Sequence, residues 1–146
     1  MKGPAMTQAR GRSRNRRRGS ASLELALVVP VFLLMICGIM EVSRVCAVSE
    51  LLTNIARDGC RVAVTNGQTS TTATARITTL LSNAGITGST ATISPTTVEN
   101  SAFGAQVTVT ITVPYSNVSW LQMTGWNWTT TIGGKAVMSS EQNPPG

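Results

Sequence analysis

The stretch that decides the reading is Arg17-Arg18-Gly19-Ser20-Ala21-Ser22-Leu23-Glu24, continued over residues 25–40 by LALVVPVFLLMICGIM. The continuation carries no charge, and extended back to residue 21 it is interrupted only by Glu24. A bilayer span takes about 20 predominantly apolar residues, and this run meets that with a slight shortfall. A soluble core helix so apolar would need apolar neighbours on every side, which the Ser- and Thr-rich remainder hardly supplies. The reading is a membrane span over about residues 21–41.

Working outward, residues 1–19 hold Lys2, Arg10, Arg12, Arg14, Arg16, Arg17 and Arg18 and no acid, whereas the rest sets Lys135 and four arginines against all six acids. The net charge of +6 is therefore a property of one end. Basic residues resist translocation, so this flank keeps the N-terminus in the cytoplasm and puts everything after Met40 outside it. A nucleic-acid-binding arm is the other meaning of such a run. It is disfavoured here, because an apolar segment follows and the arm has no aromatic residue on which a base could stack.

Among export segments, a lipobox fails because Ile36 stands before Cys37 where a small residue is needed. A cleavable signal peptide would use Val45-Cys46-Ala47, but Glu41 and Arg44 precede it; this stays a minority reading. The junction at Gly19 is more specific, with a glycine closing the basic leader and Glu24 five residues later. It resembles the prepilin-peptidase site of type IV pilins and pseudopilins. That resemblance implies cleavage between Gly19 and Ser20 on the cytoplasmic side, and glycine permits close approach of the backbone to a peptidase. An acid near the end of a span is costly and needs a partner. The ammonium freed at Ser20, on the same or a neighbouring chain, would supply it and fix the register of packed helices. The plainer alternative is that Glu24 reaches the interface from the first helical turn.

The helical pattern continues past the span. Val45, Ser49, Leu52, Ile55 or Ala56, Gly59 and Val62 form an apolar stripe, with Glu50, Asn54, Arg57 and Arg61 on another. Glu41 and Arg44, and Asp58 and Arg61, are spaced to pair on the helix surface. One helix over residues 21–64 would be roughly 65 Å long, stopped by Asn66-Gly67. Pro30 removes a donor and predicts a kink or local unwinding near residues 26–30.

Taken together, Gly19-Ser20-Ala21 with Glu24, Leu25-Ala26-Leu27-Val28-Val29-Pro30, Gly38, Glu41 to Arg44, and Ala56-Arg57-Asp58-Gly59-Cys60-Arg61 resemble TadE-like proteins, minor pilins or pseudopilins of tight-adherence (Tad) pili. Ser20 departs from the aromatic residue many type IV pilins carry at that position, and the C-terminal half has no matching motif. TadF-like and TadG-like proteins share similar N-terminal regions. The resemblance implies a structural protein in pilus biogenesis, surface adhesion and biofilm formation. Its implied partners are a prepilin peptidase, other pilins, Tad assembly-platform proteins, the lipid bilayer and copies of itself in an oligomer or filament, with no nucleic acid. The implied location is the bacterial inner membrane, crossed once, with the head periplasmic or extracellular. The corresponding division is a leader over 1–19, a long helix over 20–65 and a head over 66–146.

The head reads as α+β. Ala73, Ile77, Leu80, Leu81 and Ala84 share a face, giving a short helix over residues 71–84 with Gly85 as stop. Residues 90–94 form a strand ending at Pro95. Strict alternation over residues 106–113 buries Val107, Val109, Ile111 and Val113 on one face, and Pro114 closes the strand. Residues 129–139 make the last strand, with Gly133-Gly134 suggesting a bulge or bend. A three- or four-stranded antiparallel sheet laid on the outer half of the long helix buries both apolar faces, as in the pilin architecture. Residues 118–128 hold Trp120, Met123, Trp126 and Trp128. This cluster serves as a contact surface or, the preferred reading for so small a domain, as a cap on its core.

The remaining chemistry is sparse. Without histidine, Ser-His-Asp and Cys-His nucleophiles and His metal sites are excluded. Lys135, Tyr115 and the scattered acids form no recognisable site, so neither an enzyme nor a cofactor is expected. Cys37, Cys46 and Cys60 lie on one helix, neighbours about 14 and 21 Å apart at 1.5 Å per residue, beyond disulfide reach. They lack metal-ligand spacing too. Cys46 and Cys60 face the oxidising side, where a bridge between chains or, more simply, small apolar packing is their role. The competing function is an uncleaved signal anchor whose head binds a ligand or protein through the tryptophan loop.

Overall fold

The computed structural model describes residues 13–120 and 130–142. Two helices and three strands follow in the order α1 (Ser13–Val64), α2 (Ser70–Asn83), β1 (Thr90–Ser94), β2 (Gln106–Pro114) and β3 (Thr131–Ser139). Short 3-10 turns at Val98–Asn100 and Tyr115–Asn117 flank β2. The fold is α+β, with a three-stranded antiparallel sheet in the order β1-β2-β3.

The chain divides into two compact units within α1, Met1–Met40 and Glu41–Gly146. In the first unit the described side chains from residue 20 onward are exposed apart from the half-buried Cys37. They include Leu23, Leu25, Leu27, Phe32, Leu34 and Met40. Exposing so much apolar surface to water is unfavourable, and a bilayer removes the penalty. The helix passes through Pro30 without a break, so the local unwinding expected at residues 26–30 is absent. A helix tolerates such a proline when the remaining hydrogen bonds of the turns around it persist.

The second unit holds the core. Val107, Val109, Ile111 and Val113 are fully buried, with the intervening threonines half-exposed on the other face, as alternation along a strand requires. From α1 the sheet side of the core receives Leu52, Ile55, Ala56, Cys60, Ala63 and Val64; α2 adds Ala73, Ile77 and Leu81. The Cys60 thiol donates to the Val107 carbonyl at 3.4 Å, and burial raises its pKa. Thr69 caps α2, accepting from Thr72 N–H at 3.2 Å. At the other end Gly85 adopts φ 69°, and Ile86 N–H returns to the Leu81 carbonyl at 3.0 Å, closing the helix in a left-handed turn.

The bulge expected at Gly133-Gly134 is not there. The β2–β3 register runs unbroken from Gln106↔Ser139 to Pro114↔Thr131, with Ile111 opposite Gly134 and Thr112 opposite Gly133. The glycine serves helix contact instead. A Cβ on Gly134 would collide with the backbone of Leu52 and Thr53, so α1 lies against β3 closer than any side chain allows. Gly59 performs the same service between helices, since a Cβ there would overlap the Ile77 side chain. The segment around it therefore docks three ways: Asp58 pairs with Arg76 of α2 at 3.0 Å, Gly59 receives Ile77, and Cys60 meets β2. The expectation that Asp58 serves Arg61 gives way to this tertiary partner.

Candidate processing site and the clasp at Glu41

In the first unit, the expected processing bond Gly19–Ser20 and Glu24 stand on α1. The Ser20 hydroxyl donates to Glu24 Oε1 at 3.5 Å, a long, exposed contact one turn apart. The spacing of four residues puts Ser20 and Glu24 on one helix face. Pro30 lies farther along the same exposed segment.

In the second unit, the first turn, from Glu41, holds a constellation that local spacing does not disclose. Glu41 Oε1 accepts from the Tyr115 hydroxyl at 2.6 Å, and Glu41 Oε2 accepts from the Trp120 backbone N–H at 3.3 Å. Arg44 Nε donates to the Val118 carbonyl, and its guanidinium lies over the Trp120 ring, 4.7 Å from the centroid. One turn of helix thus clasps the segment leaving β2. The bond to the Glu41 carboxylate stabilises the protonated phenol and raises the Tyr115 pKa, with burial acting in the same direction. Helix spacing pairs Glu41 with Arg44, whereas both side chains reach across to this segment. The clue in the sequence was limited to two opposite charges immediately after an apolar run and a single tyrosine after β2.

Trp120 is 69% exposed and does not cap the core. Val113 and Val118 are buried, while the indole lies against the Arg44 guanidinium. Met123, Trp126 and Trp128 lie outside the described residues. Cys46 is exposed and Cys60 buried, so only Cys46 of the two presents its sulfur at the surface.

Elsewhere in this unit an open groove of about 700 Å³ runs between α2 and β1, lined by Ser70, Thr74, Thr78, Ala91, Ile93 and neighbouring hydroxyl residues. Thr74, Thr78 and Thr79 donate their hydroxyls to carbonyls four residues back on α2, at 2.8 to 2.9 Å. Such a groove presents methyls and committed hydroxyls, with no acid and base set against each other. Among the described residues no three Cys, Asp or Glu side chains converge as metal ligands.

The comparison with family models matches residues 19–61 to the family described as TadE-like protein. Neither the comparison with curated proteins nor that with solved structures gives a match. The matched segment begins at Gly19, takes in the exposed apolar helix, the clasp residues Glu41 and Arg44, and ends one residue beyond the docking segment 58–60. Over this segment the chain is similar to TadE-like proteins, and the helix that carries the similarity is long and apolar enough to cross a membrane.

Proposed function

We propose that the protein is a minor pilin or pseudopilin of a tight-adherence pilus, cut between Gly19 and Ser20 by a prepilin peptidase and held in the inner membrane by α1 before and during assembly. The observation that carries this reading is the TadE-like match beginning at Gly19, on a helix whose next twenty or so residues expose apolar side chains to their surroundings. The protein catalyses nothing in this reading. Its helix supplies membrane residence and packing between subunits, and its α+β head supplies the surface that other pilins and platform proteins meet.

Each named residue has a defined part. Gly19 admits the peptidase to the backbone. Glu24 neutralises the ammonium of Ser20, on its own chain or the next, which makes helix register a matter of charge pairing inside an apolar medium. Pro30 withholds one backbone donor from the apolar helix and eases its adjustment on leaving the bilayer.

The deciding experiment is N-terminal mass analysis of the membrane-extracted protein, expressed with and without a prepilin peptidase. A peptidase-dependent start at Ser20 is expected, lost in Gly19→Ala while membrane insertion persists. An uncut leader in the presence of an active peptidase would instead mean a signal anchor whose head is a binding module.

A further inference from the structure

We propose that the clasp at Glu41 is a bilayer-surface anchor, in which the Trp120 indole sits in the phospholipid headgroup layer with the Arg44 guanidinium directed to lipid phosphate. This rests on the reading of residues 20–40 as a membrane anchor and adds to it a second, independent point of attachment on the head.

The argument begins with a large aromatic side chain held outside its own core. Trp120 is 69% exposed, yet it is fixed: its backbone N–H is bound to Glu41, and its ring lies under Arg44. A tethered, exposed indole leaves apolar surface in water and finds its best medium where one edge is apolar and the other wet. That medium is the headgroup region, in which Trp and Tyr accumulate. Position along the chain agrees. Glu41 is the residue after the apolar run, and in the same turn Val42 remains 64% exposed. Tyr115 adds a second amphipathic ring, half-buried against the same carboxylate.

The charge is suited as well. A guanidinium carries five N–H donors in one plane, and phosphate accepts two of them side by side. Arg44 directs Nε to the Val118 carbonyl and stacks its plane on the indole, an arrangement that orients the group while its charge is retained. Glu41 is turned to the Tyr115 hydroxyl and the Trp120 N–H, so this acid is occupied on the protein side. A headgroup-facing surface needs the carboxylate committed to the protein and the indole exposed beside a half-buried cation, as they are here.

The test uses the full chain labelled with fluorotryptophan, in vesicles of equal parts phosphatidylcholine and phosphatidylglycerol carrying a doxyl spin label either near the headgroup or at the end of the acyl chain. The Trp120 fluorine resonance is identified as the one absent in Trp120→Phe. A separate Phe32→Trp chain reports on the anchor. Expected are loss of the Trp120 resonance by broadening from the headgroup label, its survival with the chain-end label, and the opposite order for the Phe32→Trp resonance. If the Phe32→Trp resonance is lost to the deep label while Trp120 survives both, the anchor stands and this inference is overturned, leaving the indole to water or a protein partner. If neither responds to lipid, both readings fall. Arg44→Gln is expected to weaken the Trp120 broadening; undiminished broadening overturns the part assigned to Arg44.

Discussion

A Cβ placed on Gly134 would fall on the backbone of Leu52 and Thr53, whereas one on Gly133 would meet the Ile111 carbonyl at 3.2 Å and the Thr112 methyl at 3.4 Å on the open face of the sheet. Backbone cannot turn aside as the tip of a side chain does. Gly134→Ala is therefore expected to destabilise the head by about 1–3 kcal/mol, the cost of overpacking, and Gly133→Ala by clearly less, as read from paired denaturant titrations. Tyr115 gives the second prediction at this scale. Its pKa is raised in the folded state, so the folded chain holds the phenolic proton more tightly than the unfolded chain does. The resulting stability is complete below the unfolded pKa of about 10 and is lost as pH climbs through the higher folded value. Buried Cys60, also raised, contributes loss of the same sign from a lower starting pH. Alkaline unfolding of the wild type and Tyr115→Phe separates them: the variant should keep the Cys60 part of the decline and lack the steeper part above about pH 10.

The ends of α1 and α2 show how elements are closed. Gln142 Nε2 donates to the carbonyls of Thr65 at 2.8 Å and Gln68 at 2.9 Å, with a longer contact to Ala63, while Gly67 N–H donates to Gln142 Oε1 at 3.3 Å. Gln142 is itself buried. Gln142→Ala strands several polar groups at the end of a helix and is expected to cost about 1–3 kcal/mol, with faster amide exchange over residues 63–68. Sequence patterns disclosed much of this layer. The alternation of Val107 to Val113 fixed β2, the Ala73, Ile77, Leu81 spacing fixed α2, and Gly85 marked its end, because each signal reports the burial of nearby residues. The Gln142 cap, the Asp58–Arg76 pair and the Glu41 clasp were illegible for a common reason. Their partners are far along the chain, and the local rule offers a nearer candidate of the right charge. Gly133-Gly134 was misread differently: a glycine in a strand signals either a bulge or a close neighbour, and only the position of α1 tells which.

For the whole molecule, the exposed apolar helix and the α+β head fall in separate compact units, Met1–Met40 and Glu41–Gly146. Glu24→Ala is expected to leave cleavage after Gly19 and the thermal stability of the head unchanged while reducing surface piliation, counted by electron microscopy alongside N-terminal mass. Wild-type fibres would remove Glu24 from assembly. The roles proposed for Gly19 and Glu24 come from the sequence alone, because a peptidase and a membrane both read linear features. For Trp120 the sequence left a contact surface and a core cap open and preferred the cap, since tryptophans in a small domain point first to a core, whereas the indole is exposed. The stripe formed by Leu52, Ala56, Cys60 and Ala63 has one further consequence. Its cover comes from residues 73–136, much of it from the strands after residue 107, and the Gln142 contacts that seal the end of α1 bridge 74 to 79 positions. Synthesis delivers the stripe long before its cover, and distant contacts form slowly. The newborn chain thus passes through an interval with a bare apolar ridge, when it is most open to a chaperone, to a protease or to the same ridge on another copy.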